Sequence, residues 1–159
     1  MEAKEPQVRI TPGGTRGRDL PGAAKFLYRL LAPVAGFILV RRAQGLVEIV
    51  TTGAKSGKRR ISTVRAFPEG RDAWLVVASF GGASTHPAWF VNIARNPDQV
   101  WLRLRGREVK VHPVSLEGEE RDKAWQRITS EQSSFREYEA NTDRVIPVVR
   151  LTTEAAAGA

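Results

Sequence analysis

The chain has 159 residues, 42% hydrophobic and 26% charged, the proportions of an ordinary globular domain able to bury a sizeable core. Cysteine is absent, which excludes disulfides and thiolate catalysis and fits a reducing cytoplasm, and the two histidines, His86 and His112, stand apart from any carboxylate cluster, so no metal site is expected. A net charge of +8, from 25 basic and 17 acidic side chains, favours an anionic partner: nucleic acid, an acidic membrane surface, or a phosphorylated or polycarboxylate ligand.

Residues 1–20 are polar, rich in Gly, Pro and Arg, and lack an apolar period; they read as a flexible arm. Residues 21–42 read as a helical segment, kinked or split at Pro33. Lys25, Arg29 and Pro33 interrupt its apolar run too often for a membrane span, and it starts too late for a signal peptide. Such a basic, apolar helix either packs on its own domain or lies on a membrane surface.

From there the pattern switches to period two, which predicts strands near 46–52, 60–68, 73–79, 98–105, 107–116 and 145–151. Helices are expected near 87–95, ending at Asn96-Pro97, near 118–130, with Trp125 and Ile128 facing inward, and near 133–140. His112 falls in an alternating strand and reads as a surface or packing residue. Five or six antiparallel strands with inserted helices give a mainly β, α+β fold, a small closed or half-closed barrel in one domain over residues 21–152, with a disordered tail at 153–159.

Two loops carry the chemistry. The first, Thr51-Thr52-Gly53-Ala54-Lys55-Ser56-Gly57-Lys58-Arg59-Arg60, joins two predicted strands. Glycines there let backbone N–H groups turn toward an anion, and the cations supply charge for a phosphate or carboxylate. The same residues also suit a plain hairpin with a solvated basic tip. The second, Ala78-Ser79-Phe80-Gly81-Gly82, runs on to His86-Pro87-Ala88-Trp89-Phe90-Val91-Asn92. It brings together backbone donors, a hydroxyl and an apolar wall of Trp89 and Phe90, with a proline suited to the first helical turn. An ordinary loop whose two aromatics enter the core would have the same sequence.

Taken in order and with their spacing, these segments, Asn96-Pro97, Tyr138 and Thr142-Asp143-Arg144-x-Ile146-Pro147 closely resemble the deazaflavin-dependent nitroreductase family over residues 22–152. These are coenzyme F420-dependent reductases with a split β-barrel, FMN-binding-like fold. The resemblance implies binding of F420, an 8-hydroxy-5-deazaflavin with a ribityl-phosphate and a glutamate tail. It implies phosphate and tail contacts from Ala54, Lys55, Ser56 and the strand Arg60, Ile61, Ser62, Thr63, Val64 and Arg65. The ring pocket maps onto Val77, Ala78, Ser79 and Phe80, and onto Ala88, Trp89, Phe90, Val91 and Asn92. Phe135 stands where a substrate-side tyrosine would, and Ala54 where an arginine is common; Lys58 and Arg59 are expected to restore that charge.

The implied reaction is hydride transfer to an electron-poor quinone, enone or nitro compound, the protein contributing placement and electrostatics. Ser79 is expected to donate a hydrogen bond near the ring, and Tyr138 to line the substrate side and help deliver a proton. The expected setting is cytoplasmic, with a small-molecule acceptor, a homodimer allowed and no nucleic-acid partner; residues 22–45 either cover the barrel or make peripheral contact at the inner face of the cell membrane. Two other classes fit parts of the chain. One is a split barrel binding FMN, which lacks a glutamate tail for the basic loop to neutralise. The other is a basic barrel binding nucleic acid through Trp74, Trp101 and its arginines.

Overall fold

The period-two segments become six antiparallel strands that close on themselves in the order β1-β2-β3-β6-β5-β4. They are β1 (Leu46–Thr52), β2 (Arg59–Pro68), β3 (Ala73–Val77), β4 (Val100–Leu104), β5 (Arg107–Ser115) and β6 (Val148–Thr153). Among the described residues, helices α1 (Ala88–Arg95) between β3 and β4, α2 (Gly118–Glu131) and α3 (Ser134–Asn141) between β5 and β6, and the short α4 (Glu154–Ala157) accompany the strands. This computed structural model describes residues 7–27, 31 and 44–157.

Alternation along the strands builds two cores on opposite faces of the same backbone. Ile49, Val64, Ala66, Val76, Val100, Leu102, Val111, Val149 and Leu151 fill the barrel interior, together with Trp89, Phe90 and Ile93 of α1. The outward residues of β2, β3 and β6, Phe67, Leu75, Val77 and Val148, are covered by Trp125 and Ile128 of α2 and Phe135 of α3. Closure leaves no unpaired sheet edge, the usual liability of a small β protein.

The topology also sorts the connections. Each neighbouring pair of strands is antiparallel, so β1, β3 and β5 all finish at one end of the barrel, where β2, β4 and β6 begin. The loop 53–58, the stretch 78–99 that carries α1, and residues 116–147 therefore meet at that end.

Three sequence expectations shift. β3 stops at Val77 because the chain leaves the ladder at Ser79, although Ala78 N–H still donates to Pro147 O at 2.9 Å. β6 begins at Val148, not near 145, because Thr142 to Arg144 turn away to bond other segments. The expected arm lies against the barrel: Val8 is buried, Ser115 N–H donates to Gln7 O at 2.9 Å, and Gly14 and Arg18 N–H donate to Ser84 O and Gly82 O, both at 2.8 Å. Gly14 and Gly17 make this possible, since a Cβ at either would collide with Asp143 or with the Ser84 backbone.

At the other terminus Glu154–Ala157 form a helical turn instead of a disordered tail, with Glu154 3.3 Å from Lys110. Residues 22–27 are helical as expected; the rest of the proposed helix, including the kink at Pro33, lies outside the described residues. Among the described residues no helix is long and apolar enough to cross a membrane.

Ile128 is fully buried where α2 seals the second core. Ile128→Ala is expected to cost about 2–5 kcal/mol in urea unfolding, seen as a lower midpoint at unchanged slope.

Candidate functional site

The basic loop is held open by its own backbone. Gly53 N–H donates to Lys58 O and Gly57 N–H to Gly53 O, both at 2.8 Å, and Gly57 sits at φ 64°. A Cβ on Gly53 would lie 2.5 Å from Ser56 Oγ and displace that hydroxyl. Ser56 Oγ accepts from Lys58 N–H at 3.3 Å and from Arg60 Nη2 at 3.5 Å. Lys55 and Lys58 are exposed and pair with no carboxylate among the described residues, and Arg60 has only the long bond to Ser56. Lys55 and Lys58 on the loop and Arg60 at the start of β2 thus have no carboxylate partner among the described residues and can meet an anion.

The other predicted cations are engaged elsewhere. Arg59 lies opposite Thr52 on the outer face, bonded to Glu108 and stacked 5.8 Å over the Trp101 ring. Arg59 and Arg103 together hold the Glu108 carboxyl below its ordinary range. Arg59 therefore does not replace the charge missing at Ala54; strand alternation turns it away. Arg65 donates to Gln44 O at 3.3 Å. Ile61 is exposed, Ser62 and Thr63 are half-buried, and Val64 belongs to the barrel core.

Asn92 latches this loop to α1. Its Oδ1 accepts from Ala54 N–H at 2.9 Å, and its Nδ2 donates to Thr51 Oγ1 at 3.1 Å. One turn on, Asn96 Nδ2 donates to Thr52 O at 3.2 Å. The i, i+4 spacing places both amides on one helix face. Trp89 and Phe90, only 6% and 0% exposed, go to the barrel core and do not form the open apolar wall expected of them. Ala88 is exposed and Val91 half-buried.

At the other end of α1 stands the second loop, a single 3-10 turn over Phe80–Gly82. Phe80 takes the left-handed φ of 45°, rare for a side chain of its bulk. Gly82 is required by α3, because a Cβ there would lie 2.7 Å from Tyr138 O. Ser79 is buried, yet its hydroxyl makes no hydrogen bond among the described residues, which leaves it available to a ligand. Tyr138 is half-buried against the turn, its ring edge-on to Phe135 at 5.5 Å. Phe135 itself packs edge-on with Phe67 and Trp125, and Val77 lies in that same core, while Ala78 faces the barrel interior. Packing thus claims Phe135, Val77, Ala78, Trp89 and Phe90.

Behind the turn lies a cluster that pattern reading missed. Arg144, buried to 5% exposure, donates from Nη2 to Ser79 O at 2.7 Å and from Nε to Ala83 O at 2.8 Å. Its Nη1 lies 3.3 Å from His86 Nδ1, and His86 Nε2 lies 2.7 Å from Thr11 O. A guanidinium only donates and a carbonyl only accepts, so His86 is neutral with its proton on Nε2. Burial lowers the His86 pKa, Arg144 adds to that, and the bond to Thr11 opposes it. The only sequence signal was the Thr-Asp-Arg triplet, which carries no period and no charge partner.

The unfolded chain protonates His86 at its ordinary pKa, whereas the folded chain does so only at lower pH. The stabilisation from neutral His86 is therefore complete above about pH 6.5 and is lost as pH falls through the lowered value. Urea midpoints measured from pH 7.5 down to 5 are expected to fall less steeply for His86→Gln than for the parent protein.

A basic cradle with three free cations stands at one end of α1, and a free hydroxyl beside a strained aromatic turn at the other. An eight-residue helix is about 12 Å long, so the pair suits an elongated ligand, anionic at one end and flat at the other. Comparison with known proteins identifies the family. The family model for F420H(2)-dependent quinone reductase matches residues 34–153. An F420H(2)-dependent quinone reductase of Mycobacterium tuberculosis is 34% identical over 104 residues, covering 64% of this chain and 69% of that protein. A solved F420-H2 dependent reductase superposes with a TM-score of 0.60 at 35% identity, covering 68% of this chain and 94% of its own. A second solved structure, described as a domain-swapped dimer, gives a TM-score of 0.62 at 31% identity over 81% of this chain and 96% of its own. The chain belongs to the F420H(2)-dependent quinone reductase family.

Proposed function

We propose that this reductase holds F420 along α1, with its phosphate and glutamate tail on the loop 53–58 and its ring at the Ser79–Gly82 turn. The observation that carries this reading is the set of free cations on Lys55, Lys58 and Arg60, tied to α1 through the Ala54–Asn92 bond. When bound in reduced form, the deazaflavin supplies a hydride to an electron-poor acceptor such as a quinone, an enone or a nitro compound.

The chain's own part is binding and orientation. Lys55, Lys58 and Arg60 neutralise the anionic tail, which a shorter FMN would leave unmatched. The free Ser79 hydroxyl donates a hydrogen bond at the ring or at the acceptor carbonyl, and Tyr138 Oη, on the helix against the turn, provides a proton to the reduced acceptor.

The same reading extends to the setting. Phe26, Leu27 and Leu31, exposed at 70%, 55% and 52%, support peripheral contact with the inner face of the cell membrane, where quinones reside. The domain-swapped assembly of the second solved relative supports a homodimer in a cytoplasmic protein.

Titration with oxidised F420 tests the anchor. The double substitution Lys55→Ala/Lys58→Ala is expected to weaken binding at least tenfold at low salt and to flatten its salt dependence; unchanged affinity sinks the reading. Ser79→Ala and Tyr138→Phe are expected to keep F420 affinity within about twofold while lowering kcat for a quinone by roughly 10- to 100-fold.

A further inference from the structure

We propose that Arg144 is a positioning residue whose buried guanidinium clamps the Ser79–Gly82 turn and ties it to the N-terminal segment. The proposal rests on the placement of the ring at that turn. The turn has a beginning and an end, and Arg144 holds both: Nη2 bonds the carbonyl of Ser79, where it starts, and Nε that of Ala83, where it closes. Within the turn Gly82 N–H returns to Ser79 O at 2.9 Å and Ala83 N–H to Phe80 O at 3.1 Å. Phe80, between them, takes the left-handed region, a conformation that persists only where its surroundings over-determine it. Arg18 N–H holds Gly82 O from the N-terminal side at 2.8 Å, and the guanidinium fork fixes both ends of the turn.

Arg144 is an unusual choice for mere packing. A buried cation is ordinarily matched by a carboxylate. Among the described residues none lies within ion-pair distance of Arg144, and its charge is met by two carbonyls and a neutral imidazole. The nearest acidic influence is Asp19, whose own carboxylate is bonded to Ser84 N–H at 3.2 Å and Ser84 Oγ at 2.8 Å. A lysine would keep the charge and lose the fork, because an ammonium cannot hold two carbonyls in one plane as a guanidinium does.

The two residues before Arg144 hold the N-terminal segment. Asp143 accepts from the backbone N–H groups of Thr15 and Arg16, both at 2.9 Å, and Thr142 Oγ1 donates to Arg16 O at 3.0 Å. His86 continues the link from Arg144 to Thr11. The triplet Thr142-Asp143-Arg144 is thus one hub, gripping the N-terminal segment with two residues and the ring-side turn with the third. Loosening it changes where the Ser79 hydroxyl and the Phe80 side chain stand, without removing either.

Arg144→Lys tests the clamp, first in the protein without cofactor. Hydrogen exchange at the Gly82 and Ala83 amides is expected to accelerate at least tenfold while amides in β1, β4 and β5 keep their rates. With cofactor and a quinone, F420 dissociation constants are expected to rise about tenfold and kcat to fall about tenfold, with quinone KM within twofold. A lower melting temperature with unchanged exchange at Gly82 and Ala83, or with unchanged F420 affinity and kcat, overturns the proposal by making Arg144 a packing residue only. If Arg144→Lys does not fold, Arg144→Gln, whose amide can reach at most one of the two carbonyls with the fork lost, is read the same way, with accelerated exchange at Gly82 and Ala83 expected and unchanged exchange overturning the proposal. Failure of the parent protein to bind F420 contradicts the proposed function alone, since the exchange measurement still decides the clamp.

Discussion

Antiparallel closure of six strands is the constraint on which the rest of this structure depends. It pairs β1 with both β2 and β4, and β6 with both β3 and β5, so every second connection returns to one end of the barrel. The basic loop, the segment carrying the Ser79 turn and α1, and the Thr142–Arg144 hub are distant in sequence and are brought to one end by this closure. The interior cannot host chemistry, because Ile49, Val76, Val100, Leu102 and Leu151 fill it. A ligand is left with that end and the faces beside it.

On the proposed reading, that end separates anchoring from chemistry. The loop 53–58 offers charge on exposed side chains over a backbone fixed by Gly53, Ser56 and Asn92. The Ser79 turn offers the reverse, one unspent hydroxyl on a backbone locked in a strained shape. Charge contacts tolerate a shift of position, whereas hydride transfer depends on placement to within a fraction of an ångström. The buried hydrogen bonds accordingly gather behind the turn, and the free cations gather on the loop.

Strands, helices and both loops were legible in the sequence because each rests on a local signal: alternation, an Asn-Pro stop, or glycines between β-branched runs. What was not legible depends on partners far along the chain. Residues 7–20 carry little apolar period beyond Val8 and read as mobile, yet they are held by backbone bonds to Ser84, Gly82 and Asp143. Arg59 counts as loop charge in a linear reading, but the pleat of β2 turns it to Glu108 and Trp101. Phe135 has the size of a pocket residue, and only the fold shows Phe67 and Trp125 packed around it. Arg144 bonds carbonyls, which every residue possesses, so no side-chain pattern betrays it.

The central claim is that one ligand spans α1, anchored by charge at the loop and oriented at the turn. Its most direct test compares the affinity of oxidised F420 with that of the same deazaflavin ring lacking phosphate and glutamates, at low and moderate salt. The account predicts that the truncated compound binds at least a hundredfold more weakly at low salt, that the gap narrows as salt rises, and that Lys55→Ala/Lys58→Ala narrows it further. Equal affinity for both compounds, independent of salt, contradicts it.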